Sequence, residues 1–175
     1  MRLLENRESL IYTLSMKIRR ATGSDKRDLI ALLLDFYHLS QKAVTEKQAK
    51  FRAYKDPHKT AEENANKYLF DNYICFVGEE GEVLVGFIVG QIKEKEDRVY
   101  GKEGFVEKWF VAKNHQNEGI GKELFNKMEE EFKKADCTHI LLDTHVENAH
   151  ALQIYENMGF NKRLVTLFKT LKNLP

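Results

Sequence analysis

The sequence predicts a single domain of the mixed α/β class, α+β in type, in which helices cover a largely antiparallel sheet. Amphipathic helical segments alternate with β-rich segments, and three strands follow one another without an intervening helix. At 175 residues the chain has room for one sizeable hydrophobic core. Taken in order, the elements read β-α-α-β-β-β-α-β-α-β, which is six strands and four helices.

The first strand is predicted over residues 16–20, and the first helix follows it directly. Thr22 stands at the N-cap position of a capping box, and Asp25 stands at its third helical position, where a carboxylate also suits the helix dipole. We expect this helix to continue to about Ser40.

The second helix is predicted after a polar stretch over residues 41–59. Thr60 and Glu63 match the T-x-x-E capping box, so a helix should open at Thr60 and end near Phe70.

Three strands come next, over residues 73–77, 82–92 and 104–112. Residues 78–81 have the composition of a hairpin turn, and residues 93–102 form a charged loop.

The third helix has the clearest periodicity in the chain. Its apolar residues recur at four-residue spacing and predict one buried stripe: Ile120, Leu124, Met128 and Phe132. A strand over residues 139–146, a short helix closed by Gly159 and a last strand ending at Leu171 complete the prediction.

The overall charge gives no reason to expect a polyanionic partner. Lysine and arginine total 28 against 27 aspartate and glutamate residues, a net charge of +1, so we predict neither nucleic-acid nor membrane binding. No stretch approaches the roughly 20 apolar residues of a membrane span.

Cysteine usage favours a reducing compartment, and we expect a cytoplasmic protein. Cys75 and Cys137 lie in apolar contexts and form no C-x-x-C pair. Asp143, His145 and His150 are near one another, but their spacing matches no common ligand pattern, so no metal site is predicted.

The glycine loop that precedes the third helix carries the strongest functional signal. Gly119 and Gly121 leave backbone N–H groups uncovered at the positive end of a helix dipole, which favours binding of a phosphate group. Glu123 stands where a Walker loop needs a hydroxyl, and Leu124 stands where a dinucleotide fingerprint needs its third glycine. Taken alone, the loop is therefore either one that binds a different phosphate compound or a glycine-containing loop without a ligand.

Two motifs together resemble the GNAT superfamily of acetyl-CoA-dependent N-acetyltransferases. The family's Q/R-x-x-G-x-G/A loop is present over residues 116–121. Its second signature, N-x-x-A-x-x-x-Y-x-x-x-G-F, is present with every spacing kept, at Asn148, Ala151, Tyr155, Gly159 and Phe160.

The resemblance is detailed over residues 104–160 and extends in element order over residues 16–171. It implies a sheet of six to seven strands with about four helices, formed by residues 16–175. Residues 1–15 lie outside it as an N-terminal extension, either an added amphipathic arm or the product of an upstream start codon.

The resemblance also implies how acetyl-CoA binds as co-substrate. The pantetheine arm pairs with the strand before the glycine loop, at Phe110, Val111 and Lys113, and also contacts Asn148, which caps its helix, and Ala151. The pyrophosphate lies against the loop and the helix start, formed by Gln116, Asn117, Glu118, Gly119, Ile120, Gly121 and Lys122. Glu118 is unusual beside a pyrophosphate, and the cost of its charge is small if its carboxylate points to water and pairs with Lys122 at i+4.

By the same resemblance, Tyr155 is the general acid that protonates the departing thiolate. For the base, strand alternation places Phe105, Glu107, Trp109 and Val111 on one face, which makes Glu107 a carboxylate among apolar neighbours. The alternatives are a cross-strand ion pair at Glu107, a bulge that changes this alternation, or Glu103 or His145 as the base.

The acceptor amine is predicted to bind over residues 35–59 and 93–102, which are rich in lysine. This charge favours a peptide or protein amine, or a small metabolite amine that bears a carboxylate, over polyamines and aminoglycosides. Two other functions stay open: a non-catalytic acyl-CoA sensor, and an interaction module in which residues 1–15 pack against a second subunit in a homodimer.

Overall fold

The computed structural model describes residues 16–171, so the predicted N-terminal arm lies outside the described residues. Five strands form one sheet in the order β1-β2-β3-β4-β5. The pairs β1–β2, β2–β3 and β3–β4 are antiparallel, whereas β5 runs parallel to β4. The strands are β1 Met16–Arg20, β2 Ile74–Glu80, β3 Val83–Glu94, β4 Lys102–Val111 and β5 His139–Leu142.

The helices lie on both faces of this sheet. Two short 3-10 turns, Gly23–Asp25 and Lys113–His115, accompany them. The α-helices are α1 Lys26–Lys42, α2 Glu46–Arg52, α3 Pro57–Phe70, α4 Ile120–Lys134 and α5 Ala149–Asn157. The predicted α+β class is confirmed.

Each face of the sheet has its own hydrophobic core. On one face α1 and α3 bury a cluster that includes Leu29, Leu33 and Tyr68. On the other face α4 buries the predicted stripe, with Ile120, Leu124, Met128 and Phe132 each at most 2% exposed. The four-residue spacing therefore identified the buried side of α4 correctly.

The capping box predicted at Thr60 is wrong, because α3 begins three residues earlier. Asp56 is the N-cap, and its Oδ1 accepts a hydrogen bond of 2.9 Å from the backbone N–H of Lys59. Pro57 occupies the first helical turn. A backbone N–H at this position would have no intrahelical acceptor, so proline costs no hydrogen bond there, and its fixed φ suits a helix.

Two other local predictions also need correction. The polar stretch contains the helix α2, which Thr45 caps by accepting a hydrogen bond from Gln48 N. The hairpin turn is shorter than predicted, because residues 78–80 belong to β2 and only Gly81, at φ 64°, adopts the left-handed conformation.

The predicted last strand does not form, so the sheet has five strands rather than six to seven. β5 ends at Leu142, and residues 158–171 contain no strand. Leu164 and Leu167 are 87% and 89% exposed in this segment. Its apolar residues favour a strand by propensity, but the segment makes no ladder of hydrogen bonds, which a strand requires.

A partly buried ion pair connects β1 with the turn that follows it. Arg19 donates to both carboxylate oxygens of Asp25 at 2.8 Å, and its Nε donates to Glu79 on β2. Asp25 also accepts a hydrogen bond of 2.7 Å from the Thr22 N–H, as the predicted capping box requires. The Arg19 guanidinium lowers the pKa of Asp25 from 3.8 to about 2.

We predict that Asp25→Asn lowers the free energy of unfolding by about 2 kcal/mol at pH 7. Because the folded-state pKa is the lower one, the stabilisation is complete above about pH 4 and is lost as the pH falls towards about 2. Urea unfolding of the wild type and the variant at pH 7 measures the loss of stability, and the same comparison at pH 3 measures how much of that difference disappears. Asp97→Asn, on the exposed 95–101 loop, is the matched control and should change stability by less than about 0.5 kcal/mol. Equal losses in the two variants would contradict a role for the ion pair.

Candidate functional site

A β-bulge in β4 sets the orientation of the residues around the site. Val89 of β3 pairs with Lys108 and Gly90 pairs with Val106, which leaves Glu107 as the extra residue. A bulge of this kind interrupts the alternation of side chains along the strand. Glu107 and Lys108 therefore both face α1 and α3, since Glu107 contacts Lys67 and Lys108 lies beside Tyr68.

The predicted single face of Phe105, Glu107, Trp109 and Val111 is consequently wrong. Trp109 and Val111 pack in the core on the α4 side, whereas Glu107 lies on the opposite side of the sheet. Phe110, a predicted pantetheine contact, packs on the α1 side against Phe36 and Phe87.

β4 separates from β5 at the level of the bulge. The last pair between the two strands is Val106 with Leu142, although β4 continues to Val111. Ala112 N–H donates to Val85 O at 2.8 Å, on the β3 side. Backbone groups alternate along a strand, so Val111 directs its N–H into the gap on the β5 side. The gap therefore presents a strand edge to which an extended ligand can bind.

The glycine loop connects this strand edge to α4. Asn117 and Gly119 have positive φ values of 68° and 87°, and α4 begins immediately afterwards at Ile120 with no side-chain cap. The first N–H groups of a helix have no intrahelical partners. A Cβ built at Gly119 would meet no atom within 4 Å, so the space beside this glycine is open. This arrangement suits an anion.

Side chains of the loop mostly bind neighbouring protein groups. Gln116 Nε2 donates to Val111 O at 3.0 Å, which braces the end of β4. His115 Nδ1 lies 3.3 Å from a carboxylate oxygen of Glu80 and 3.6 Å from one of Glu118. Glu118 does not form an ion pair with Lys122 within the described residues, because Glu118 precedes the helix and i+4 contact requires helical geometry.

Tyr155 lies on the α4 side of the gap. Its ring stacks on Trp109 with a centroid distance of 5.8 Å and an interplanar angle of 25°, and it contacts Phe160 edge-on. Burial raises the pKa of Tyr155, so its phenol stays protonated at neutral pH. Asn148 caps α5 as predicted, since its Oδ1 accepts a hydrogen bond from Ala151 N.

The two glutamates considered as bases have different surroundings. Glu107 accepts a hydrogen bond of 3.2 Å from Gln91 Nε2 and lies 3.7 Å from Lys67 Nζ, so its neighbours are polar rather than apolar. Glu103 is 3% exposed and accepts hydrogen bonds of 2.7 and 2.8 Å from Lys95 Nζ. Lys95 lowers the pKa of Glu103.

His145 lies in the loop after β5 rather than on the strand itself. Burial lowers the pKa of His145, with Arg52 acting in the same direction. Its imidazole is therefore neutral at pH 7, which a proton acceptor requires.

Sequence reasoning missed three residues around Glu107: Lys67, Tyr68 and Lys108. Lys67 and Tyr68 lie on α3, and they come close to Glu107 and Lys108 only in the folded protein. Lys108 lies on β4, and the bulge that turns it towards α3 has no local sequence signature.

Other classes of site are not seen in the described part of the chain. No group of three histidine, cysteine, aspartate or glutamate side chains within residues 16–171 is arranged as metal ligands would be. No helix in that range is long and apolar enough to cross a bilayer.

Comparison with known proteins gives a consistent result. The family model described as "Acetyltransferase (GNAT) family" matches residues 36–160. The N-alpha-acetyltransferase 30 of Xenopus laevis is 31% identical over 102 residues, which are 56% of this chain and 37% of that protein. The human protein of the same name has the same identity over 28% of its length. The chain thus matches well under half of the length of these relatives.

A solved structure of an aminoglycoside N-acetyltransferase, AAC(6')-Iy in complex with CoA, has the same fold. It superposes with a TM-score of 0.71 at 17% identity and covers 90% of this chain and 96% of that one. At this identity the likeness concerns the fold alone.

We predict that Gly119→Ala lowers the free energy of unfolding by about 1–2 kcal/mol, because an alanine at φ 87° is strained. Gly121→Ala is the matched control. Gly121 lies within α4, and its added Cβ would make ordinary contacts of 3.6 Å with Trp109 and Val111, so this variant should be neutral or up to about 1 kcal/mol more stable. Urea unfolding followed by circular dichroism gives both values. Equal changes in stability at the two glycines would contradict the positive φ of Gly119.

Proposed function

Because this chain belongs to the acetyltransferase (GNAT) family, we propose that it transfers an acetyl group from acetyl-CoA directly to a primary amine. One observation carries the proposal: the open edge of β4 after Val106 leads directly into the uncapped start of α4. An extended thioester arm fits the strand edge, and a pyrophosphate fits the helix start.

The two faces of the sheet supply different parts of the reaction. The acceptor amine enters from the α1 and α3 side and loses a proton to Glu107 or, as alternatives, Glu103 or His145. The neutral nitrogen attacks the thioester carbonyl, and the carbon–sulfur bond then breaks. The leaving thiolate takes the phenolic proton of Tyr155 from the α4 side, and the second proton that the amine nitrogen loses after attack returns the phenolate to its neutral form, so that the amide and free CoA result.

The acceptor we propose is the N-terminal amine of a peptide or protein, with a small metabolite amine as the second candidate. The relatives named N-alpha-acetyltransferase 30 support the first candidate. We further propose that the reaction takes place in the cytoplasm and that the protein forms a homodimer, as the predicted arm at residues 1–15 favours.

The first experiment is calorimetric titration of acetyl-CoA into the purified protein, followed by a thiol-release screen with peptides, amino acids and polyamines. Binding with turnover supports the enzyme and identifies its acceptor class. Binding without turnover on any amine favours an acyl-CoA sensor with the same fold. Absence of binding would contradict both functions.

We predict that Tyr155→Phe lowers kcat by about 100-fold while the Kd of acetyl-CoA changes less than about 2-fold, because only the proton donor is removed. The ring contact with Trp109 is kept, so folding should be unaffected. Stopped-flow thiol release and calorimetry on the same sample measure the two quantities. A wild-type kcat in this variant would rule out Tyr155 as the acid.

We predict that Glu107→Gln lowers the catalytic activity, whereas Glu103→Gln lowers the stability. Glu107→Gln should lower kcat/KM by about 100-fold with little change in thermal stability, because it removes the proton acceptor. Glu103→Gln should lower the free energy of unfolding by about 1 kcal/mol or more, because it removes the buried partner of Lys95. If instead Glu103→Gln loses the activity and Glu107→Gln keeps it, Glu103 is the base.

A further inference from the structure

The hydroxyl group of Tyr68 is buried without a partner. Tyr68 lies on α3, is 1% exposed, and packs edge-on against Tyr73 with ring centroids 5.3 Å apart. Among the described residues its Oη has no hydrogen-bond partner. Tyr37 beside it is different, since its hydroxyl accepts a hydrogen bond of 2.6 Å from Asn64. A buried hydroxyl is seldom left unpaired, so Tyr68 is a donor that lacks an acceptor.

Lys108 brings a positive charge to the same place. The bulge turns it towards α3, where its Nζ lies 6.0 Å from the centre of the Tyr68 ring and 5.8 Å from that of Phe36. No carboxylate of the described residues lies within 4.0 Å of this ammonium, and the adjacent Glu107 is held by Lys67 and Gln91. Lys108 is therefore a half-buried cation without its own counterion.

The surrounding charges strengthen this imbalance. Burial lowers the pKa of Lys108, and Lys67 and Arg52 act in the same direction, whereas Glu107 opposes them. Lys108 thus lies under the influence of two further cations, Lys67 and Arg52, and of one carboxylate, Glu107. A water molecule would satisfy the Tyr68 hydroxyl but would leave the excess positive charge.

An oxygen acceptor with negative charge satisfies both groups at once. We propose that Tyr68 and Lys108 bind a carboxylate of the acceptor molecule, either a terminal carboxylate or an acidic side chain of a peptide. This inference rests on the proposed function, because it defines the substrate class of the same site.

The position of the pair fits an acceptor subsite. Tyr68 and Lys108 lie on the α1 and α3 side of the sheet, next to Glu107 and on the opposite side from Tyr155. The rim is open to solvent, since Tyr54 is 36% exposed and the Lys67 side chain is 40% exposed. An acceptor that enters here brings its carboxylate to Lys108 while its amine remains free to reach the gap.

The test uses two matched pairs of probes in calorimetry, with CoA present and absent. Glycyl-aspartic acid α-amide, which keeps its side-chain carboxylate, is compared with glycyl-asparagine amide, and glycyl-alanine is compared with glycyl-alanine amide. The first pair tests a side-chain carboxylate, and the second tests a terminal one. We expect the wild-type protein to bind the acidic member of at least one pair about 10-fold more tightly, as one charge-assisted contact provides.

Substitutions test whether Lys108 causes the tighter binding of the acidic probe. Lys108→Met should reduce the ratio of the affinities for the acidic probe and its amide to about 1. Lys17→Met removes the same charge from an exposed position on β1 and should leave this ratio unchanged. A wild-type protein that binds neither probe, or binds acid and amide equally, overturns the inference. So does a preference that survives Lys108→Met.

Tyr68→Phe separates binding from packing. Because the hydroxyl has no partner among residues 16–171, its removal should leave Tm unchanged or raise it, while the preference for the acid falls about 3-fold or more. A lower Tm with an intact preference would show a structural role instead. If acetyl-CoA fails to bind while the acid preference is present, the proposed function fails and the carboxylate site stands. If acetyl-CoA binds and is turned over while the acid preference is absent, the carboxylate site fails and the proposed function stands.

Discussion

The site depends on one constraint in the sheet: β4 loses its pairing with β5 at the level where it bulges against β3. Val106 is the last residue paired with β5, and Glu107 is the residue left out of the β3 ladder. A bulge bends a strand and increases its local twist, which carries the following residues away from a parallel neighbour. The gap and the reversed side-chain alternation therefore have a common origin.

Helix α4 is fixed against the same part of the sheet. A Cβ at Gly104 would lie 2.4 Å from the ring of Phe132, and one at Gly90 would lie 2.8 Å from both Met128 and Phe132. The two glycines thus allow α4 to approach the sheet more closely than any side chain would permit. Since the helix is rigid, close packing at its C-terminal half also fixes where its uncapped N-terminus lies beside the gap.

The sequence predicted those parts of the site that depend on local spacing. The glycine pattern located the loop in front of α4, the four-residue repeat identified the buried stripe of α4, and the motif located the cap at Asn148. Each of these features is decided by residues within one or two turns of each other. The start of α3 was misplaced because two capping patterns compete, and the proline at position 57 decides between them.

The features that could not be predicted depend on distant residues. Whether the segment that ends at Leu171 forms a strand depends on a partner edge, which propensity does not supply. The bulge depends on how twelve residues of β3 pair with ten of β4, and the sequence of neither strand specifies the residue that is skipped. For that reason Glu107 was assigned to the wrong face and the position of Lys108 was missed.

The bulge also connects the two halves of the proposed chemistry. With regular alternation, Glu107 and Trp109 would share a face and Lys108 would lie opposite them. The extra residue instead leaves Trp109 on the α4 side, between Phe125 and Tyr155, with which it stacks at centroid distances of 5.3 and 5.8 Å. It places Glu107 and Lys108 together on the other side. A protonated phenol and a cluster of charged groups thus occupy opposite sides of one gap, as a reaction between two substrates that enter from different faces requires.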